Sequence, residues 1–112
     1  IKPPFPVPTP WAYKKWADSR EIPGVLYAPQ LCEWGTMVND LERPVFQKYL
    51  LLPALKNWLL GHGETRAALM SGSGSTMFAI TDTAAQAAEL AEKARAWCGE
   101  TTWTLATQTA KP

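Results

Sequence analysis

From Asn39 onward the apolar positions switch between helical and strand spacing, and the switches divide the chain into elements. Leu41, Val45, Lys48 and Tyr49 share one helical face behind Asn39 and Asp40, which are expected to cap it, and Pro44 falls early enough in the first turn to be tolerated. Leu51, Leu52, Leu55, Trp58 and Leu59 make a second stripe, with Pro53 in its first turn, that runs out at Gly61 and Gly63. Arg66 to Met70 and Thr76 to Thr81 are short, apolar and partly β-branched or aromatic, which predicts a hairpin or two closely paired strands. Thr83 and Gln86 stand at capping-box spacing, and Ala87, Leu90, Ala91, Ala94 and Trp97 recur on one face of the helix that follows until Gly99 stops it. Thr101 to Thr109 returns to alternation, with Trp103, Leu105 and Thr107 against Thr102, Thr104 and Ala106, and predicts a last strand.

The first third is less regular. Pro6-Val7-Pro8-Thr9-Pro10 holds the backbone extended, after which Trp11 to Ala17 loses its prolines and is expected to turn helical, with Thr9 as N-cap and Pro10 at the first helical position. Asp18 to Val38 mixes polar, Gly and Pro letters and predicts an irregular connection with at most short helices. Ile1-Lys2-Pro3-Pro4-Phe5 reads as the end of a strand running into a proline-rich bend, and the chain therefore as a fragment. The order of helices and strands predicts an α+β fold, an antiparallel sheet covered on one face by helices.

A chain of 112 residues that is 46% apolar has enough hydrophobic surface for one core and is expected to be a single domain over residues 1–112. The net charge of +1, with no Lys/Arg run, argues against nucleic acid or an anionic membrane as the main partner. The letters show no transmembrane-length apolar run and no signal-peptide pattern, which predicts a soluble context. Cys32 and Cys98 are isolated and read as reduced thiols of a cytosolic protein, with neither a disulfide nor a metal site expected. Six tryptophans fit either a Trp-rich core or an interface with a missing segment, and Trp11 and Trp16 are assigned to such a surface because they flank Tyr13.

The run Met70-Ser71-Gly72-Ser73-Gly74-Ser75-Thr76-Met77-Phe78 carries the chemistry. Its glycines allow backbone N–H groups to approach an anion without Cβ obstruction, and its serines add hydroxyl donors. The same letters also suit a plain hairpin turn, so both readings stay open. Asp40 and Glu42 are read as a helix cap and a first-turn acid rather than as general bases. His62, between two glycines and with no Asp/Ser companion motif, is read as structural or solvated.

Thr9-Pro10-Trp11-Ala12-Tyr13, Asn39-Asp40-Leu41-Glu42 and the Gly/Ser run, in that order, resemble the carboxy-terminal half of the 4-diphosphocytidyl-2-C-methyl-D-erythritol kinases, a branch of the GHMP kinase superfamily. The resemblance implies a ferredoxin-like α+β sandwich. It implies ATP-dependent phosphorylation, with Mg²⁺, of the 2-hydroxyl of a diphosphocytidyl substrate in non-mevalonate isoprenoid synthesis, in the bacterial cytoplasm or a plastid. The nucleotide loop and catalytic Lys/Asp pair of that family belong to its amino-terminal half, the partner this chain would need, so no catalytic residue is assigned here and the isolated chain is expected to be inactive. By the same resemblance Tyr13 stacks on cytosine, Thr9 reaches the substrate pocket besides its capping role, and Ser71, Gly72, Ser73, Gly74 and Ser75 line the phosphate side of the cleft. Two other readings stay open: a GHMP kinase with a different acceptor alcohol, and a free-standing α+β binding module.

Overall fold

The computed structural model describes residues 1–32 and 35–107. In chain order its elements are α1 (Thr9–Lys15), β1 (Gln30–Cys32), β2 (Gly35–Met37), α2 (Glu42–Lys48), α3 (Leu51–Leu60), β3 (Ala67–Met70), β4 (Met77–Ile80) and α4 (Ala84–Cys98). The second apolar stripe organises them. Leu52, Leu55 and Leu59 lie about one turn apart on α3 and are fully buried with Val45 and Phe46 of α2. Burying one such leucine contributes about 1.5–3 kcal/mol. They pack on the hairpin β3–β4, an antiparallel pair that sets Ala68 opposite Ala79, Leu69 opposite Phe78 and Met70 opposite Met77.

Strand alternation then gives the hairpin two faces. Ala68, Met70, Met77 and Ala79 belong to the core shared with α3 and with Leu90 of α4. Leu69 and Phe78 fall on the other face. The expectation of an α+β fold with helices on one face of an antiparallel sheet therefore holds, although the strands form two separate pairs, β1–β2 and β3–β4.

Helix α4 starts as its letters predict: the Gln86 N–H donates to Thr83 Oγ1 at 3.1 Å, and the Thr83 N–H donates back to Gln86 Oε1 at 3.3 Å. Gly99, at φ +113°, ends it. Ile1 and Lys2 behave as the end of a strand. Ile1 exchanges two backbone hydrogen bonds with Met77, at 2.7 and 2.8 Å, and Lys2 exchanges two with Trp103, at 2.7 and 3.0 Å.

Three local expectations change. Thr9 is not an N-cap: Pro8 holds that position, Thr9 is the first helical residue, and its hydroxyl is engaged by Ser73 instead. Asp18 to Val38 contains the hairpin β1–β2, whose strands are three residues each and too exposed to leave an apolar alternation. The strand expected over Thr101 to Thr109 is a single bridge at Trp103 among the described residues, because the opposing segment runs from Lys2 into Pro3 and Pro4, which have no N–H to extend a ladder; Gln108 and Thr109 lie outside the described residues. Cys32 and Cys98 are free thiols. Among the described residues no helix is long and apolar enough to cross a membrane.

Candidate functional site

The face of β3–β4 turned away from the helical core floors a cavity of about 650 Å³. Leu69 and Phe78, a cross-strand pair, supply apolar floor; Tyr13 and Trp16 of the α1 region, Asn39 and Asp40, and Ser71 and Gly72 complete the lining. Tyr13 sits past the proline-fixed turn with its side chain 66% exposed, which excludes packing in the core and leaves the ring free for a ligand. The arrangement therefore joins a flat aromatic, an apolar floor and the start of the Gly/Ser loop in one cleft.

The remaining predicted site residues lie on the other side of the loop. Thr9, Ser73, Gly74 and Ser75 line a second cavity of about 440 Å³ together with the Lys2–Val7 segment. Thr9 Oγ1 and Ser73 Oγ are 2.8 Å apart and tie the loop tip to α1. The buried Ser75 hydroxyl sits 2.6 Å from the Phe5 carbonyl and 3.2 Å from that of Pro3, which fixes the far end of the loop. The Gly74 N–H closes the turn onto the Ser71 carbonyl at 3.0 Å. The backbone N–H groups of Gly72 and Ser73 have no acceptor among the described residues and remain available.

Glycine is required at two loop positions for different reasons. Gly72 has φ +56° with open space around its α-carbon, so only the backbone conformation demands it. Gly74 has φ +87°, a conformation L side chains rarely adopt, and a Cβ there would stand 3.0 Å from the Met70 sulfur, which would have to shift by a few tenths of an ångström.

Glu42 is the largest surprise. The sequence predicts a first-turn acid that favours the helix start electrostatically, but it is 1% exposed and forms an ion pair with the equally buried Lys56 at 2.7 Å. Its other oxygen accepts the Met70 N–H at 2.9 Å, and Lys56 Nζ also donates to the Leu26 carbonyl. Burial pushes the Glu42 carboxyl above the ordinary carboxylate range, while the bonds from Lys56 and Met70 pull it back. One signal in the letters pointed here: Lys56 lies four residues after Leu52 and three before Leu59, on a stripe that is otherwise apolar, and a lysine there needs a buried acid. Asn39 was expected to cap the next helix. Its Oδ1 does accept the Leu41 N–H at 3.0 Å, but Leu41 holds the N-cap position and the amide nitrogen of Asn39 turns to the loop.

The two tryptophans assigned to an open surface separate. Trp16 is 41% exposed, lines the cleft and carries the Arg43 guanidinium 4.5 Å from its ring centre. Trp11 is half-buried, edge-on to Tyr49 with ring centres 6.0 Å apart, because Tyr49 and Lys48 of the neighbouring segment cover it. His62 lies outside both cavities, with Nδ1 2.7 Å from the Trp58 carbonyl and its ring against Trp58, in agreement with a structural role.

Residues 28–100 match the family model described as GHMP kinases C terminal. A 4-diphosphocytidyl-2-C-methyl-D-erythritol kinase of Methylacidiphilum infernorum is 49% identical over 80 residues, covering 71% of this chain and 28% of its own length. One from Citrifermentans bemidjiense is 36% identical over 107 residues, covering 87% of this chain and 37% of its own length. The chain thus spans between about a quarter and two fifths of these relatives. No solved structure matches.

Proposed function

Since the chain belongs to the GHMP kinase family through its C-terminal domain, we propose that it is the acceptor-side domain of a 4-diphosphocytidyl-2-C-methyl-D-erythritol kinase. The observation that carries this reading is the one cleft lined by the exposed Tyr13, by the cross-strand pair Leu69 and Phe78, and by Ser71 and Gly72. A cytosine ring fits the flat π face, and base–aromatic stacking contributes about 1–3 kcal/mol. The diphosphate of the same molecule meets the loop, where the free N–H groups of Gly72 and Ser73 are donors that serve an anion without titrating. Relatives named 4-diphosphocytidyl-2-C-methyl-D-erythritol kinase align over 71% and 87% of the chain, which supports this branch over another acceptor alcohol or a free-standing module.

ATP and Mg²⁺ belong, in this reading, to an amino-terminal GHMP domain. Among the described residues no group of three or more His, Cys, Asp or Glu side chains is placed to hold a metal, and Asp40 is the one carboxylate in the cleft lining. The residues present do not fit a resident Mg²⁺, and no step through it falls to this chain. Its part is to bind and orient the acceptor, since phosphoryl transfer depends on positioning and charge neutralisation around an in-line geometry.

Calorimetric titration of the full-length protein with the cytidine-bearing acceptor tests the reading. Tyr13→Ala is expected to weaken binding by about 1–3 kcal/mol while Tyr13→Phe keeps most of the affinity. Equal affinity for wild type and Tyr13→Ala refutes the stacking role. ATP turnover by the purified 112-residue chain alone refutes the assignment of catalysis to an amino-terminal GHMP domain.

A further inference from the structure

Asn39 lines the cleft, yet both hydrogens of its amide are spent inside the protein. Its nitrogen donates one hydrogen to the Met70 carbonyl at 2.8 Å and the other to the Gly72 carbonyl at 2.7 Å, while its oxygen accepts from Leu41. Two carbonyls on one side and one N–H on the other fix the orientation of the amide and leave it no hydrogen for a ligand. Glu42, three residues on, takes the Met70 N–H. Met70, the last residue before the Gly/Ser loop, is therefore held through both its backbone groups by one four-residue turn.

We propose that Asn39 and Glu42, with Lys56 behind them, are the positioning residues of the Ser71–Ser75 loop: they fix where β3 ends and aim the loop at the acceptor phosphates without touching the substrate. The proposal rests on the reading of function above. Three features of the structure support it. The outward backbone groups at the end of β3 meet side chains where a neighbouring strand would have tolerated sliding by register. The Asn39 amide spans the junction, reaching Met70 on one side of Ser71 and Gly72 on the other, so it sets the turn into the loop as well as the end of the strand. Glu42 is itself immobilised by the buried Lys56, whose Nζ also holds the Leu26 carbonyl, so the clamp is anchored in the core and cannot follow the loop.

The loop's other fixings are independent of this turn: Thr9 at its tip and Ser75 at its far end. Removing the Asn39 clamp should therefore displace the start of the loop while leaving it attached. A displacement of that kind matters for phosphoryl transfer, where an error of about 1 Å costs about a hundredfold in rate.

The test compares Asn39→Asp with wild type in the full-length protein that carries this segment. The substitution keeps size and the acceptor for Leu41 but sets a carboxylate oxygen against two carbonyls. Amide exchange at Ser71 and Gly74 is expected to quicken about tenfold while exchange at Leu55 and Leu59 is unchanged. Turnover is expected to fall about a hundredfold with the KM for ATP unaltered. Glu42→Gln, which preserves volume and an oxygen for Met70, shifts the same amides by less and carries the test if Asn39→Asp fails to fold. Leu59→Val, buried away from the cleft, is the control for lost stability. Unchanged exchange and turnover in Asn39→Asp overturn the proposal, as does an equal loss of turnover in Leu59→Val at a matched melting temperature. Should wild type fail to phosphorylate the diphosphocytidyl acceptor, the reading of function falls, and the exchange rates at Ser71 and Gly74 still decide the clamp.

Discussion

The described residues form two antiparallel strand pairs built on opposite plans. In β3–β4 every residue of β3 is buried, one face packs on α3 and the other floors the cleft. In β1–β2 Leu31 is 83% exposed and Gly35 and Thr36 of β2 are exposed too. Gln30 joins the two. Gln30, buried at the start of β1, uses its amide as a peptide group: it donates to the Ala68 carbonyl at 2.7 Å and accepts the Ala68 N–H at 3.0 Å. Together with Asn39 and Glu42 at Met70, this covers the free edge of β3 with three side chains instead of a strand. An isolated two-stranded ribbon is marginal in water, so stability of β3–β4 comes from packing and polar bracing, and that of β1–β2 is borrowed through Gln30.

The largest expected effect comes from breaking the brace at its charged end. Glu42→Ala leaves Lys56 buried without its partner and the Met70 N–H without an acceptor, and is expected to cost about 3–5 kcal/mol in denaturant unfolding. A loss below about 1 kcal/mol, the range of exposed pairs, would mean that the pair is hydrated and the contrast between hairpins overstated.

Truncating the strands themselves separates the two directly. Met77→Ala removes a fully buried side chain from β4 and is expected to cost about 2–5 kcal/mol. Leu31→Ala in β1 is expected to stay within about 0.5 kcal/mol. Similar losses at the two positions would show that Leu31 is covered in solution.

Gln30→Ala orphans both backbone groups of Ala68 and is expected to cost about 1–3 kcal/mol. Amide exchange should rise across β1–β2 far more than at Leu69, and uniform loosening of both hairpins would refute the borrowed-stability account.

The smallest effect lies at the open end of β3–β4, where Arg66 Nε donates to Asp82 at 2.9 Å across the exposed base of the hairpin. That hydrogen bond, more than the charge of Arg66, holds the Asp82 carboxyl below the ordinary aspartate range. A carboxyl lowered in the folded state contributes stability that is present above its unfolded value and disappears as pH falls through the folded one. Thermal melts of wild type and Asp82→Asn should therefore converge on acidification and differ slightly at neutral pH; curves that remain parallel throughout would remove the pair from the account.

What the letters determined by themselves are the elements whose cause is local. The α4 capping box, the α3 stripe, the Gly99 stop and the Gly/Ser loop between two apolar strands all depend on residues within a turn or two of one another, and spacing alone displays them. The family motifs were legible for the same reason, since each is a short contiguous run. Only the tertiary structure decided the rest. Thr9 looks like a cap until Ser73, distant in the chain, engages its hydroxyl. Glu42 looks like a helix-dipole acid until folding buries it against Lys56. Asn39 looks like a cap until β3 ends beside it. Glu42 took its distant partner because burial removed the water that satisfies such a group in an open chain. Asn39 kept Leu41 with its oxygen and gave its nitrogen to the Met70 and Gly72 carbonyls, which no local residue pairs, and Thr9 met Ser73 at an exposed contact that only the folded chain brings together.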